Sequence, residues 1–137
     1  MLHRMNVTHK PKTDKEIQAI VIVPTRDLAM QIFDVVKSLL VKKLEYLKVI
    51  LFIGGRSLKE DVKYFQRFGG NIIIGTPGKL KELADHLPDM ISFKTLKMLI
   101  FDEADRLIES NYKQDLDILL ASLPKQRRTY VFSATLG

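Results

Sequence analysis

The apolar run Leu99-Ile100-Phe101 delivers two adjacent acids, Asp102 and Glu103. A carboxylate in that setting can hold Mg²⁺, usually through water, while its neighbour accepts a proton from an attacking water. The same acids could equally cap a following helix, since Asp and Glu favour a helix N-terminus. Four further apolar runs end in suggestive residues: Pro24-Thr25-Arg26-Asp27, Gly54-Gly55-Arg56, Thr76-Pro77-Gly78-Lys79 and Ser133-Ala134-Thr135. The first three of these supply what a phosphate backbone needs, namely N–H groups at helix starts, hydroxyls, glycines that permit close approach, and a cation. Taken singly, each is ordinary punctuation: Thr as an N-cap, Pro in a first helical turn, Gly in a tight turn, a solvated Arg or Lys. Ordinary turns do not require a cation every time, so three such sets at successive strand ends favour a track for a polyanion. None offers an exposed aromatic platform for base stacking, which points to sequence-independent backbone contacts. Ser133 and Thr135 could hydrogen-bond to the acids of a neighbouring strand, although small hydroxyl residues there also serve simply as turn formers.

The elements that must position these residues are legible as five apolar, β-branched runs, Ile17–Val23, Val49–Ile53, Asn71–Gly75, Met98–Phe101 and Thr129–Phe132, each followed by a turn signal. Several are apolar almost throughout, as in parallel strands covered on both faces. Helical patterns fill the intervals. Leu28, Ile32, Val35, Val36 and Leu39 form one stripe, and Ser57-Leu58-Lys59-Glu60 is a capping box opening a helix that buries Leu58, Val62 and Phe65. Thr76-Pro77 starts another, with Leu80, Leu83 and Leu87 on one face, and Leu116, Leu119, Leu120 and Leu123 mark a last one before Pro124. Strand and helix alternate, which predicts an α/β sheet with ligands bound beyond the carboxyl ends of its strands. Met1–Lys15 reads as a polar lead-in, a loop or frayed end, and residues 16–137 as the domain.

With 46% hydrophobic and 28% charged residues the chain has the composition of a folded protein rather than a disordered one. Its net charge of +6 favours polyanions, nucleic acid ahead of an anionic membrane surface. Cysteine is absent, which excludes disulfides and thiolate metal sites and fits a reducing compartment. No apolar run approaches the roughly 20 residues of a membrane span, so an intracellular protein without a membrane partner is expected. His3, His9 and His86 lack metal-ligand spacing and read as surface residues.

Read together and in order, these segments resemble the DEAD-box RNA helicase family. Pro24-Thr25-Arg26-Asp27-Leu28-Ala29 is similar to its motif Ia, Gly54-Gly55 to its double glycine, Thr76-Pro77-Gly78 to motif Ib, Asp102–Asp105 to motif II and Ser133–Thr135 to motif III, and Gln66 falls near a glutamine often seen in the family. The resemblance implies a RecA-like three-layer α/β sandwich with a mostly parallel sheet of about five strands. It implies that Asp102 organises Mg²⁺ through water, that Glu103 activates the hydrolytic water, and that Asp105 bonds to Ser133 and Thr135, linking the nucleotide site to strand separation. Pro24, Thr25, Arg26, Gly54, Gly55, Arg56, Thr76, Pro77, Gly78 and Lys79 would form the RNA-backbone contact. Asp27 stands where the family usually has Glu, and Lys79 where it usually has Arg, which loses the planar fork that grips phosphate.

The 137 residues contain no G-x-x-x-x-G-K-S/T loop, the element whose N–H groups and lysine hold nucleotide phosphates. The adenine-recognising segment and the second lobe with its arginine fingers are also absent. These residues alone are therefore expected to bind ATP and Mg²⁺ weakly or not at all and to be inactive, whereas a parent protein would couple ATP hydrolysis to local RNA strand separation. Without the phosphate-loop strand the last strand becomes an edge, which predicts self-association or marginal stability. The nucleus or nucleolus fits the family, with the cytoplasm also open. A non-catalytic RNA-binding scaffold is the alternative; a receiver-like domain accounts for Asp102 but not for the three phosphate-contacting turns.

Overall fold

The computed structural model describes residues 13–44, 46–86 and 93–133. Among these residues five strands form one parallel sheet in the order β2-β3-β1-β4-β5: β1 (Ala19–Ile22), β2 (Val49–Phe52), β3 (Ile72–Gly75), β4 (Met98–Phe101) and β5 (Arg128–Val131). Between them lie α1 (Arg26–Lys43), α2 (Leu58–Phe68), α3 (Pro77–His86), the single turn α4 (Ala104–Leu107) and α5 (Ser110–Ala121). β1, β2 and β3 are shorter than their apolar runs, with flanking Ile17 and Val23 buried beyond the ends of β1, whereas β4 matches its run and β5 begins and ends one residue earlier than its run.

Alternate residues of each strand enter opposite faces, as the period of two requires. Ile20, Ile22, Ile50, Phe52, Ile73 and Leu99 pack under α2, α3 and α5 through Phe65, Leu80, Leu83, Leu116 and Leu119. Ala19, Val21, Ile72, Ile74, Met98 and Ile100 pack under α1 alone, through Ala29, Val36 and Leu40. The result is three layers, which explains why β1 and β3, at the centre, are buried throughout. No helix among the described residues is long and apolar enough to cross a membrane.

The expected stripe of α1 needs correction. Val36 is buried and Leu28 and Ile32 pack at the margin, but Val35 is 60% and Leu39 43% exposed. A single helix over a flat face buries a narrow arc, here Ala29, Val36 and Leu40, and the flank one residue away stays in water. The other helices agree with their patterns. Ser57 caps α2 as expected: its Oγ accepts from Glu60 N at 3.2 Å and donates to Glu60 Oε1 at 3.1 Å. Leu87 and most of the polar lead-in lie outside the described residues. The end of that lead-in is tied down rather than frayed, since Gly70 N donates to Asp14 O at 2.6 Å and Asn71 Nδ2 to Thr13 O at 3.0 Å.

Register decides what the sheet presents. Phe52, Gly75, Ile22, Phe101 and Val131 are successive partners across all five strands. The last residues of every strand therefore form one row, and the turns that follow emerge together at the carboxyl edge. Among the described residues β5 pairs with β4 alone and lies at the sheet edge, with Val131 60% and Phe132 54% exposed.

Candidate active site and nucleic-acid interface

The acids follow Phe101, the fourth residue of that row of five. Asp102 N donates to Ile22 O at 3.0 Å, carrying the ladder one residue past β4. Asp102 Oδ1 accepts from Glu103 N at 2.9 Å, which fixes one carboxylate oxygen in the turn. Glu103 has φ 52° and ψ 53°, and is the one non-glycine residue of left-handed conformation among the described residues. An L-residue adopts that conformation at a cost of roughly 1–2 kcal/mol. Glu103 stands at the N-cap position of α4 without a side-chain capping bond, so the capping role is not what its carboxylate performs. Its Oε1 instead lies 3.5 Å from Arg106 Nη1 on the surface.

The neighbouring strand closes on this turn from the side. Ala104 N donates to Phe132 O at 2.8 Å, and Ser133 Oγ donates to Asp105 Oδ1 at 2.9 Å. Asp105 and Ser133 thus meet across the two strand ends. Thr135 lies outside the described residues. Among the described residues no group of three or more His, Cys, Asp or Glu side chains could hold a metal ion. A divalent cation here would be held by Asp102 chiefly through water, with further oxygens from nucleotide phosphate, a donor set that suits Mg²⁺.

Three turns flank the acids on the side of β1, β3 and β2. Thr25 caps α1, its Oγ1 accepting from Leu28 N at 3.3 Å. Arg26 follows, exposed, and its Nη2 lies 3.6 Å from where a Cβ on Gly55 would stand. Gly55 has φ +111°, a conformation L side chains rarely adopt, so the turn needs glycine there. Arg26, Phe33, Leu51, Ile53, Gly54, Gly55, Arg56 and Tyr64 line an open groove of about 350 Å³. Thr76 N donates to Phe52 O at 3.4 Å and Leu80 N to Thr76 O at 3.1 Å, so α3 begins at this edge with Gly78 exposed. Pro24 and Pro77, also expected at the RNA contact, are buried in these turns.

Two of the three expected cations are paired with one buried acid. Lys79 is 7% exposed, and its Nζ lies 2.8 Å from Asp61 Oδ2 and 2.9 Å from Arg56 O. Arg56 is half-buried, with Nε 3.1 Å from Asp61 Oδ1 and Nη2 donating to Leu51 O at 2.9 Å. Lys79 Nζ is thus turned toward an anion beneath it. Asp61 escaped the sequence reading, although its spacing with Leu58, Val62 and Phe65 puts it on the apolar face of α2, where an acid must find a cation. Tyr64, at the groove, was missed too.

The parallel five-stranded sheet, with helices on both faces and paired acids at one strand end, has the RecA-like fold. Two solved structures share it. "DEAD-box helicase Mss116 bound to ssRNA and UDP-BeF" superposes with a TM-score of 0.81 at 28% identity, over 98% of this chain and 28% of that one. "Structure of Mss116p (NTE and C-tail double deletion) bound to ssRNA and AMP-PNP" gives 0.83, also at 28%, over 99% and 28%.

The DEAD/DEAH box helicase family model matches residues 1–137, and the chain belongs to that family. It is 48% identical over 124 residues to "ATP-dependent RNA helicase DDX55" of Gallus gallus, covering 88% of this chain and 21% of the relative. It is 40% identical over 138 residues to "ATP-dependent rRNA helicase spb4" of Schizosaccharomyces pombe, covering 96% and 22%. The chain thus spans about a fifth of the length of these curated relatives.

Proposed function

We propose that these residues are part of the first lobe of an ATP-dependent RNA helicase, in which Asp102 and Glu103 serve ATP hydrolysis and the turns at Thr25–Arg26, Gly54–Gly55 and Thr76–Gly78 grip the RNA backbone. The observation that carries this reading is the common register row, which puts the acids and all three turns on one sheet edge. Bound Mg²⁺ would neutralise charge on the transferring phosphoryl group, with Asp102 orienting its water shell. Glu103 would accept a proton from the attacking water. Exposed Arg26 and the N–H groups opening α1 and α3 would meet phosphates without reading bases. The Asp105–Ser133 bond would pass the state of the acid turn to the edge strand, and Thr135 would join it.

The names of the relatives support ATP and RNA as substrates, and "rRNA" in the name of the fission-yeast relative supports ribosomal RNA and action in the nucleus or nucleolus. A second lobe would complete the ATP site, with the phosphate loop supplied by the parent protein. Photocrosslinking of single-stranded RNA to that protein, followed by peptide mapping, tests the RNA side. Crosslinks should fall on peptides carrying residues 24–26, 54–56 and 76–78. Crosslinks within this lobe confined to other peptides would refute the assignment.

A further inference from the structure

Asp61 is fully buried, yet neither ATP chemistry nor phosphate contact uses it. It stands on α2, and each carboxylate oxygen faces a different cation: Oδ1 lies 3.1 Å from Arg56 Nε and Oδ2 2.8 Å from Lys79 Nζ. Arg56 directly follows Gly54-Gly55, and Lys79 directly follows Thr76-Pro77-Gly78. One buried carboxylate therefore joins the two turns.

The surrounding contacts make the joint rigid. Lys79 Nζ also donates to Arg56 O at 2.9 Å and lies 3.5 Å from Glu82 Oε2, so α3 holds the main chain of the glycine turn while Asp61 of α2 holds the Arg56 side chain. Arg56 in turn donates to Leu51 O near the end of β2 and lies 4.6 Å over the Tyr64 ring. Lysine suits this place, since an ammonium offers three rotatable donors, here toward Asp61, Arg56 O and Glu82. Charges withdrawn from water persist only when paired, and removing one partner leaves the others uncompensated.

We infer that Asp61 is a positioning residue: by locking Arg56 and Lys79 in one buried ion cluster, it sets the spacing between the glycine turn and the start of α3, and Lys79 makes no phosphate contact of its own. This rests on the RNA-binding reading above. Surface phosphate contacts are left to Arg26 and to the backbone N–H groups of the turns.

The test is fluorescence anisotropy of labelled single-stranded RNA with the helicase that carries this segment, repeated over a series of salt concentrations. Asp61→Asn, Lys79→Met, the double variant and Arg26→Gln are compared with the unsubstituted protein. Asp61→Asn and Lys79→Met should each weaken binding by about tenfold, and the double variant no further, because they break one cluster. Neither should change the slope of log affinity against log salt, which counts phosphate contacts, whereas Arg26→Gln should lower it by about 0.7.

A slope lowered by a similar amount in Lys79→Met would show a direct phosphate contact and overturn the inference. Additive losses, or tighter binding by Asp61→Asn through released cations, would do the same. Should Asp61→Asn fail to fold, Lys79→Met leaves Asp61 paired with Arg56 and carries the slope criterion by itself. An unsubstituted protein that binds no RNA would sink the functional reading and this inference with it.

Discussion

Ser133 Oγ donates to Asp105 Oδ1 across 2.9 Å, joining the end of β5 to the turn that follows the acids of β4. With the Ala104 N to Phe132 O bond it makes the acid turn and the edge strand one hydrogen-bonded unit.

Ser133→Ala removes this donor and leaves a half-buried carboxylate short of a partner, at a cost of about 1 kcal/mol. ATP turnover should be largely kept while RNA unwinding falls much further. Measuring both on the same preparation decides the matter, and a parallel fall would argue against a coupling role.

Glu103 is held in a left-handed conformation that glycine adopts freely. Relief of strain of roughly 1–2 kcal/mol, less the backbone entropy glycine loses, leaves Glu103→Gly more stable by about 0.5–1 kcal/mol. Loss of the surface contact with Arg106 subtracts little. Thermal unfolding of the glycine and Gln variants reads this directly. The glycine variant should melt higher and both should be inactive, a strained functional residue exchanged for stability. A lower melting temperature for Glu103→Gly would contradict the strain argument.

Gly55→Ala places a Cβ on a residue at φ +111°, beside the Arg26 guanidinium. Strain of about 1–2 kcal/mol is expected, relieved only by moving the turn. RNA affinity should fall several-fold with ATP affinity unchanged, as filter binding and nucleotide titration would show.

The β5 edge leaves Val131 and Phe132 more than half exposed and β-strand N–H and C=O groups open to pairing. We expect the 137-residue chain to associate with itself in a concentration-dependent way, and Val131→Lys to suppress this. Sedimentation velocity over a wide concentration range reads the effect, and a monomer throughout would remove the proposal.

Much of this was legible in the sequence because burial on both faces leaves a plain mark. β1, β3 and β4 read as unbroken apolar runs, and the turns after them carry Gly, Pro, Thr or acid for local reasons that act within a few residues. Asp102, Glu103, Arg26 and the glycine turn stand where the pattern put them. Lys79 and Arg56 stand there too, but their pairing with Asp61 was not legible, since it depends on a residue of another element whose partner spacing no local pattern reveals. Val35 and Leu39 misled for a related reason: periodicity marks an apolar face, and only the width of the sheet beneath decides how much of it is covered. The left-handed Glu103 left no sequence signal at all, because strain at a functional residue is imposed by its surroundings.

The most direct test of the central claim is RNA-stimulated, Mg²⁺-dependent ATP hydrolysis by the longest protein that carries these residues, beside the same protein bearing Glu103→Gln. Turnover that appears with RNA and collapses by about a hundredfold or more in the variant is the expected result, in line with loss of a general base. RNA binding without turnover in the unsubstituted protein would contradict the enzymatic reading and leave a scaffold in its place.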